Sequence, residues 1–413
     1  MPLTTRLTER LKITHPVLLA PMGFAAGGKL AAAVTNAGGL GLIGGGYGDG
    51  DWIDMQFREA GNAAVGCGFI TWSMARIPEV LDRALAHKPR AVMLSFGDPR
   101  PFAVRIKAAG ALLICQVQTR ADAEAAIAAD ADIIIAQGAE AGGHGAQRAT
   151  LTLVPEIADM LAARAPDTLL CAAGGIADGR GLAAALMLGA DGVLVGTRLW
   201  ASDEALVHDN LKQAALTATG DDTVRQSVTD IVRGYDWPDR FDIRVMRNAY
   251  LDMWLGQEVQ LRSVADIERQ RYTKAASEGD ASVVAPIVGE GIGLIRAIEP
   301  AATIIERMVN QAEMALRRGA RGRSHETARG TTLGGDPGVR LDACGLRLRR
   351  SGLCAAGDRC GGGGGDDLRA DLSARRGEDQ SRRYRRMAQP LAAGAYGNLR
   401  SGPDARATPR RPG

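Results

Sequence analysis

Eight short runs of apolar and β-branched residues, each followed by a stretch able to form a helix, are the strongest constraint on how this chain can fold. They are PVLLAPM (16–22), GLGLIGGG (39–46), AAVGCGFI (63–70), AVMLSFG (91–97), LLICQV (112–117), IIIAQG (133–138), TLLCAAGG (168–175) and GVLVGT (192–197). Ala-rich stretches such as GGKLAAAVTNAG, IPEVLDRALAHK and ADAEAAIAAD separate them. Strands that read as nearly continuous apolar runs are buried on both faces, which demands parallel neighbours covered by helices. Strand then helix, eight times over, is the pattern of an α/β fold of the (β/α)8 kind, the TIM barrel. An open doubly wound sheet would start its first helix on Gly-x-Gly-x-x-Gly, and PMGFAAGG does not supply it.

The barrel is expected over residues 1–199. Over 200–289 the pattern changes to longer polar segments with helical spacing, SDEALVHDNLKQAAL and FDIRVMRNAYLDMWLGQEVQ, around a compact GYDWPD; this predicts a small helical lid or subdomain. Residues 290–316 form a closing segment, with PAATIIERMVNQAEMAL as a final amphipathic helix that has Pro at its start. After Leu316 there is no Ile, Phe, Trp or Lys. Such a segment buries too little apolar surface to offset chain entropy, so 317–413 is expected to be a disordered basic tail. Its abrupt change to Arg, Gly and Ala is what a shifted reading frame in GC-rich coding DNA produces.

Charge and cysteine usage narrow the function. Of the chain's 50 Lys and Arg and 47 Asp and Glu, 21 and 10 lie after Leu316, leaving 29 and 37 in the body. An acidic body argues against nucleic-acid binding, which needs clustered basic surface. Cys67, Cys115 and Cys171 lie in strand-like runs, where a thiol behaves as a small buried hydrophobe, and CxxC spacing is absent. No apolar run is long enough for a signal core or a membrane span. The expectation is a cytoplasmic enzyme without disulfides.

Two motifs could carry chemistry. AAGGIADGRG (172–181) leaves the seventh strand and GVLVGTRL (192–199) leaves the eighth, the two exits where a barrel places a phosphate. Gly174, Gly175, Gly196 and Thr197 expose backbone N–H groups there, although a glycine pair alone equally well marks a tight turn. The sixth-strand exit, AQGAEAGGHG (136–145), ends on Gln137, whose amide can donate to and accept from a heterocycle. Gly142 and Gly143 leave room for a planar ring, and His144 sits on the rim where barrels assemble their catalysts. A histidine titrating near 6.5 can accept a proton close to neutrality. Glu140 is either an alternative base or a bond to the loop backbone. His15, His87 and His208 do not suggest convergence with His144, so no metal is expected.

These stretches, together with LLAPMGF, AAAVTNAGGLGLIGGG and GEGIGLIRAIEPAATIIERMV, resemble the nitronate monooxygenases, formerly the 2-nitropropane dioxygenases, from about Leu7 to Leu316. The resemblance implies FMN with its phosphate at Gly174, Gly175, Gly196 and Thr197, and its ring against Met22, Gly23 and Phe24 with Gln137 and Gly142 contributing. His144 matches the family's catalytic histidine. Many members carry Asn in a GVN after the third strand, where this chain has Gly68 in GCGFIT; that contact is lost or passes to Thr71 or Trp72. The implied reaction turns a nitronate or nitroalkane and O2 into a carbonyl compound and nitrite. The alternative on the same barrel is NAD(P)H-dependent reduction of an enoyl thioester or quinone. Expected partners are the small molecule and O2, with a homodimer as the assembly and neither nucleic acid nor membrane.

Overall fold

The computed structural model describes residues 3–327. Its strands are β1 Val17–Leu19, β2 Leu42–Gly46, β3 Gly66–Ile70, β4 Ala91–Ser95, β5 Leu112–Val117, β6 Ile133–Gln137, β7 Gly143–Gly145, β8 Leu169–Ala173, β9 Gly192–Val195, β10 Thr223–Gln226 and β11 Asp242–Met246. Eight of them lie side by side in the order β1-β9-β8-β6-β5-β4-β3-β2, all parallel. A parallel bridge between Leu18 and Leu40 joins the two ends into a barrel. Each expected strand run holds one of these eight.

Alternation along the strands makes two cores. Leu18, Met93, Ile114, Ile135, Cys171 and Leu194 form the barrel interior, with Leu7 and Leu11 of the N-terminal helix Arg6–Leu11 packed among them. Their neighbours Leu19, Val92, Leu113, Ile134, Ala172 and Val193 face outward into the layer of helices. A two-residue period is what a pleated strand imposes, and full burial of each large aliphatic side chain contributes about 1.5–3 kcal/mol. Cys67, Cys115 and Cys171 are buried and unbridged.

Seven outer helices lead from one barrel strand toward the next: Gly28–Asn36, Gly50–Ala60, Glu79–Ala86, Arg100–Ala108, Arg120–Ala128, Thr150–Arg164 and Gly179–Met187. The eighth place belongs to Ala301–Thr327, which packs on Gly179–Met187 and Gly28–Asn36. The stretch between β9 and this helix is therefore an insertion into the last strand–helix unit. The helix runs past Leu316 to Thr327, beyond the composition break at which the sequence reading ended it; the Arg and Ala that follow Leu316 are good helix formers. The rest of the expected tail, 328–413, lies outside the described residues.

The expected helical subdomain also contains strands. It holds helices Asp209–Leu216, Val228–Arg233, Ala249–Trp254, Glu258–Ser263 and Ala265–Glu278, but also the strands β10 and β11. In β11, Ile243 and Val245 are buried while Asp242, Arg244 and Met246 are half-exposed. That two-residue period is short and lies directly in front of a true helix, whose spacing masks it in the sequence. β10 and β11 pair antiparallel, and the other edge of β11 pairs with β7, which sets Ile243 opposite His144. The subdomain has its own core, including Val228, Ile231, Val245, Tyr250, Leu251 and Trp254. Among the described residues no helix is long and apolar enough to cross a membrane.

Candidate active site

A cavity of about 530 Å³ opens where the C-terminal strand ends meet the subdomain. Met22, Gly23 and Phe24 beyond β1, Gln137 at the end of β6, Gly142 and His144 beyond it, Gly174 and Gly175 after β8, and Gly196 and Thr197 after β9 all line it. These ten positions thus meet at one site, joined by Glu140 and Gly143.

The β8 and β9 exits offer unused amides. Gly174 and Gly175 have φ of +105° and +72°, a region that side chains beyond glycine rarely adopt. The hydrogen bonds made outside helices and strands include none donated by the amides of Gly174, Gly175 or Gly196. Thr197 opens the helix Thr197–Trp200, and first-turn amides have no partner within a helix. Its hydroxyl accepts from Gly289 N at 2.9 Å. The longer helix Gly179–Met187 does not contribute: Asp178 accepts from Arg180 N and Gly181 N, and Gln311 from Gly179 N. Unbonded amides gathered at one end of the cavity suit a phosphate, and the nearby acids are already engaged, Glu140 by Thr150 and Asp178 by Arg180 and Gly181. The Cβ positions of Gly23 and Gly46 meet nothing closer than 3.6 Å, which leaves a flat wall beside them for a ring system. The residues present therefore fit a flavin mononucleotide.

His144 is not on a free loop but in β7, held from both sides. Its Nε2 donates to both oxygens of Asp230, at 3.0 and 2.9 Å. An ionised carboxylate only accepts, so the proton sits on Nε2 and Nδ1 carries the lone pair. Nδ1 makes no hydrogen bond among the described residues, and His144 lines the cavity. Trp237 stacks on the imidazole, ring centroids 3.4 Å apart and 8° from parallel. The indole N–H donates to Tyr47 Oη at 2.9 Å, and Phe96 meets Trp237 edge-on at 5.1 Å. Phe96 reaches this place with φ of +64°, a strained setting of the kind found at functional sites. Burial lowers the pKa of His144 from its usual 6.5; the bond to Asp230 opposes this, while the charges of Arg233 and Arg225 add to it. The ring is thus a neutral base at neutrality, fixed in one tautomer.

Gln137 corrects a second expectation. Its Oε1 already accepts from Gln116 Nε2 at 3.1 Å and Gln118 Nε2 at 2.8 Å. Its Nε2 donates to the His144 carbonyl at 3.1 Å. One N–H remains for a ligand, and the side chain's main effect is to anchor the histidine. Arg225 completes the clamp, donating to the carbonyls of Ala139 at 3.0 Å and Asp242 at 2.7 Å, with burial and the adjacent Arg244 drawing its pKa down to about 10. Glu140 is bonded to Thr150 N at 3.0 Å and to Thr150 Oγ1 at 2.9 Å; it ties the loop down and is not placed as a base.

Several details differ from the sequence reading. A Cβ on Gly142 would lie 2.5 Å from the Val288 carbonyl carbon, so that glycine makes room for the 288–289 backbone as well as for a ligand. At Gly68 a Cβ would lie 2.3 Å from Pro21 Cγ; the proline ring fills the place of a larger side chain. Neither Thr71 nor Trp72 lines the cavity, so neither takes over that contact. His208 does line it, with Nδ1 accepting from Asn210 N at 3.2 Å, although no cluster able to hold a metal exists among the described residues. Asp230, Trp237 and Tyr47 were missed. GYDWPD was noticeable as a compact segment, but nothing in the sequence connects position 230 with 144.

Comparison with known proteins follows the same lines. The nitronate monooxygenase family profile matches residues 4–67 and 70–311. A nitronate monooxygenase of Neurospora crassa is 32% identical over 351 residues, covering 74% of this chain and 91% of that protein. Among solved structures, FabK from Thermotoga maritima superposes with a TM-score of 0.65 at 30% identity, covering 78% of this chain and 99% of that one. The nitroalkane oxidase from Streptomyces ansochromogenes superposes with a TM-score of 0.62 at 26% identity, covering 75% and 99%.

Proposed function

This chain belongs to the nitronate monooxygenase family and is an oxidoreductase, and from that premise we propose that it uses FMN and O2 to convert alkyl nitronates, and nitroalkanes, to carbonyl compounds and nitrite. The observation that carries the reading is the pairing of a neutral, Asp230-bonded His144 in the cavity lining with unbonded amides at the β8 and β9 exits of the same cavity. Gly174, Gly175, Gly196 and Thr197 would hold the phosphate, and Met22, Gly23, Phe24 and Gly142 the ring, with one N–H of Gln137 in reach. Bound there, FMN supplies the electron acceptor.

The protein's own part is to orient the substrate and move one proton. A neutral nitroalkane gives its α-proton to His144 Nδ1, and the Asp230 carboxylate at 2.9 Å stabilises the imidazolium that forms. Trp237 and the Gln137 bond to the His144 carbonyl keep the ring from turning. For a substrate that arrives as the nitronate the proton step is absent, and His144 serves only to shape the place the substrate takes. The test is the absorbance spectrum of the purified full chain, then anaerobic addition of propane-2-nitronate or NADH, with nitrite assayed after air is admitted. A yellow protein bleached by the nitronate, with nitrite formed in air, is expected. Bleaching by NADH alone would replace this reading with a reductase.

A further inference from the structure

We propose that Arg233 selects an anionic substrate, its guanidinium taking the two oxygens of a nitronate group in the cavity that His144 also lines; this rests on the nitronate reading above. Arg233 is the one Lys or Arg among the residues that line the cavity, and the one acidic side chain there, Glu140, is taken up by Thr150. Among the described residues the contact made by the Arg233 side chain is with the face of the Tyr235 ring, not with a carboxylate. A guanidinium has five donors and no acceptor of its own, so an anion that enters the cavity is a natural partner for it.

Its position ties it to the base. Arg233 closes the helix Val228–Arg233 that carries Asp230 one turn earlier, and residues three apart share a helix face. The carboxylate goes to His144, and the guanidinium lies over the Tyr235 ring at 4.9 Å. Tyr235 stacks on Tyr47 at 3.8 Å, and Tyr47 holds the Trp237 indole that covers His144. The Arg233 charge is also felt at His144, where it helps to keep the imidazole neutral. One short helix thus supplies the partner of the base and a cation on the same cavity wall.

The ligand chemistry follows from the fork. A nitronate is planar at nitrogen and spreads one negative charge over two oxygens, so it matches a guanidinium as a carboxylate does. A neutral nitroalkane presents two oxygens of similar spacing without the net charge. Arg233 therefore discriminates by charge at the binding step and leaves the affinity for neutral substrates largely unaffected.

The test uses the full chain carrying FMN, with R233M and R233K. Isobutyrate, the carboxylate isostere of propane-2-nitronate, and neutral isobutyramide are titrated by calorimetry, and KM is measured for propane-2-nitronate and 2-nitropropane. R233M is expected to lose about tenfold to a hundredfold in isobutyrate affinity and to raise the nitronate KM by a similar factor, the range for a charge-assisted hydrogen bond. Isobutyramide affinity and the 2-nitropropane KM should stay within about twofold, and R233K should recover part of the loss. FMN content reports folding, and R233Q takes the place of R233M if that variant does not retain the flavin. Unchanged isobutyrate affinity and nitronate KM would overturn the assignment while the nitronate reading stands. Loss of isobutyrate binding in a chain that turns over neither nitro compound would keep the anion site and sink the nitronate reading.

Discussion

Ile135 and Ile243 are both buried, yet they belong to strands of different kinds. Ile135 lies in β6, where all five residues are buried; Ile243 lies in β11, where burial alternates with exposure. The barrel strand can only be core, and its contribution to the site is its end: Gln137 and the turn that follows. The subdomain strand keeps one face free, pairs with β7, and so delivers the backbone against which His144 is set. The barrel supplies a fixed, glycine-walled cavity, whereas the insertion decides the tautomer, the proton affinity and the charge of what is put into it through Asp230, Arg225, Arg233 and Trp237.

That division can be broken from either side. The largest effect is expected from His144→Ala, which should retain FMN while losing about 10²- to 10⁴-fold in turnover of a neutral nitroalkane, as read by nitrite release. Unchanged turnover would remove the histidine from the reaction. On the barrel side, Ile135→Ala should cost about 2–5 kcal/mol in denaturant unfolding. Gly142→Ala, at the seam between the two parts, forces a Cβ against the Val288–Gly289 backbone and should cost about 1–3 kcal/mol. It should also weaken FMN retention, which gel filtration followed by absorbance reports. Trp237→Phe keeps a ring over His144 but loses the N–H to Tyr47, a loss of about 0.5–1.5 kcal/mol.

Stability should respond to pH through the same histidine. Its pKa is lowered in the folded state, so its contribution is fully present above the unfolded value of 6.5 and is lost as pH falls toward the folded one. Between pH 7 and 5 the thermal midpoint of the wild-type chain should therefore fall more steeply than that of His144→Gln. Parallel slopes would mean that the ring is not held neutral.

The same contrast explains what was legible in the sequence. Eight apolar runs between Ala-rich helices can form few folds, and glycines at the seventh and eighth exits have few uses in a barrel. The part of the cavity wall built by the barrel's strand ends could therefore be named at ten positions. The insertion carries no such redundancy. Its strand β11 shows only two inward residues, Ile243 and Val245, ahead of the helical residues from Ala249, and five residues of alternation are too few to outweigh a helical neighbour. Asp230 is 86 residues from His144, and SVTDIVRG reads as an ordinary short helix. Gln137 was located correctly but given an open carbonyl, because the two glutamines that fill it, Gln116 and Gln118, lie on or just past a different strand.

The claim that the insertion tunes a base presented by the barrel is tested most directly by the pH dependence of kcat/KM for 2-nitropropane in the wild type and in Asp230→Asn. Asp230 raises the proton affinity of His144 against the lowering by burial. Removing its charge should therefore move the acid limb, already below the usual 6.5, to still lower pH, and reduce the plateau by about tenfold or more as the imidazolium loses its partner. An acid limb that stays in place or moves upward, with the plateau unchanged, would contradict the account.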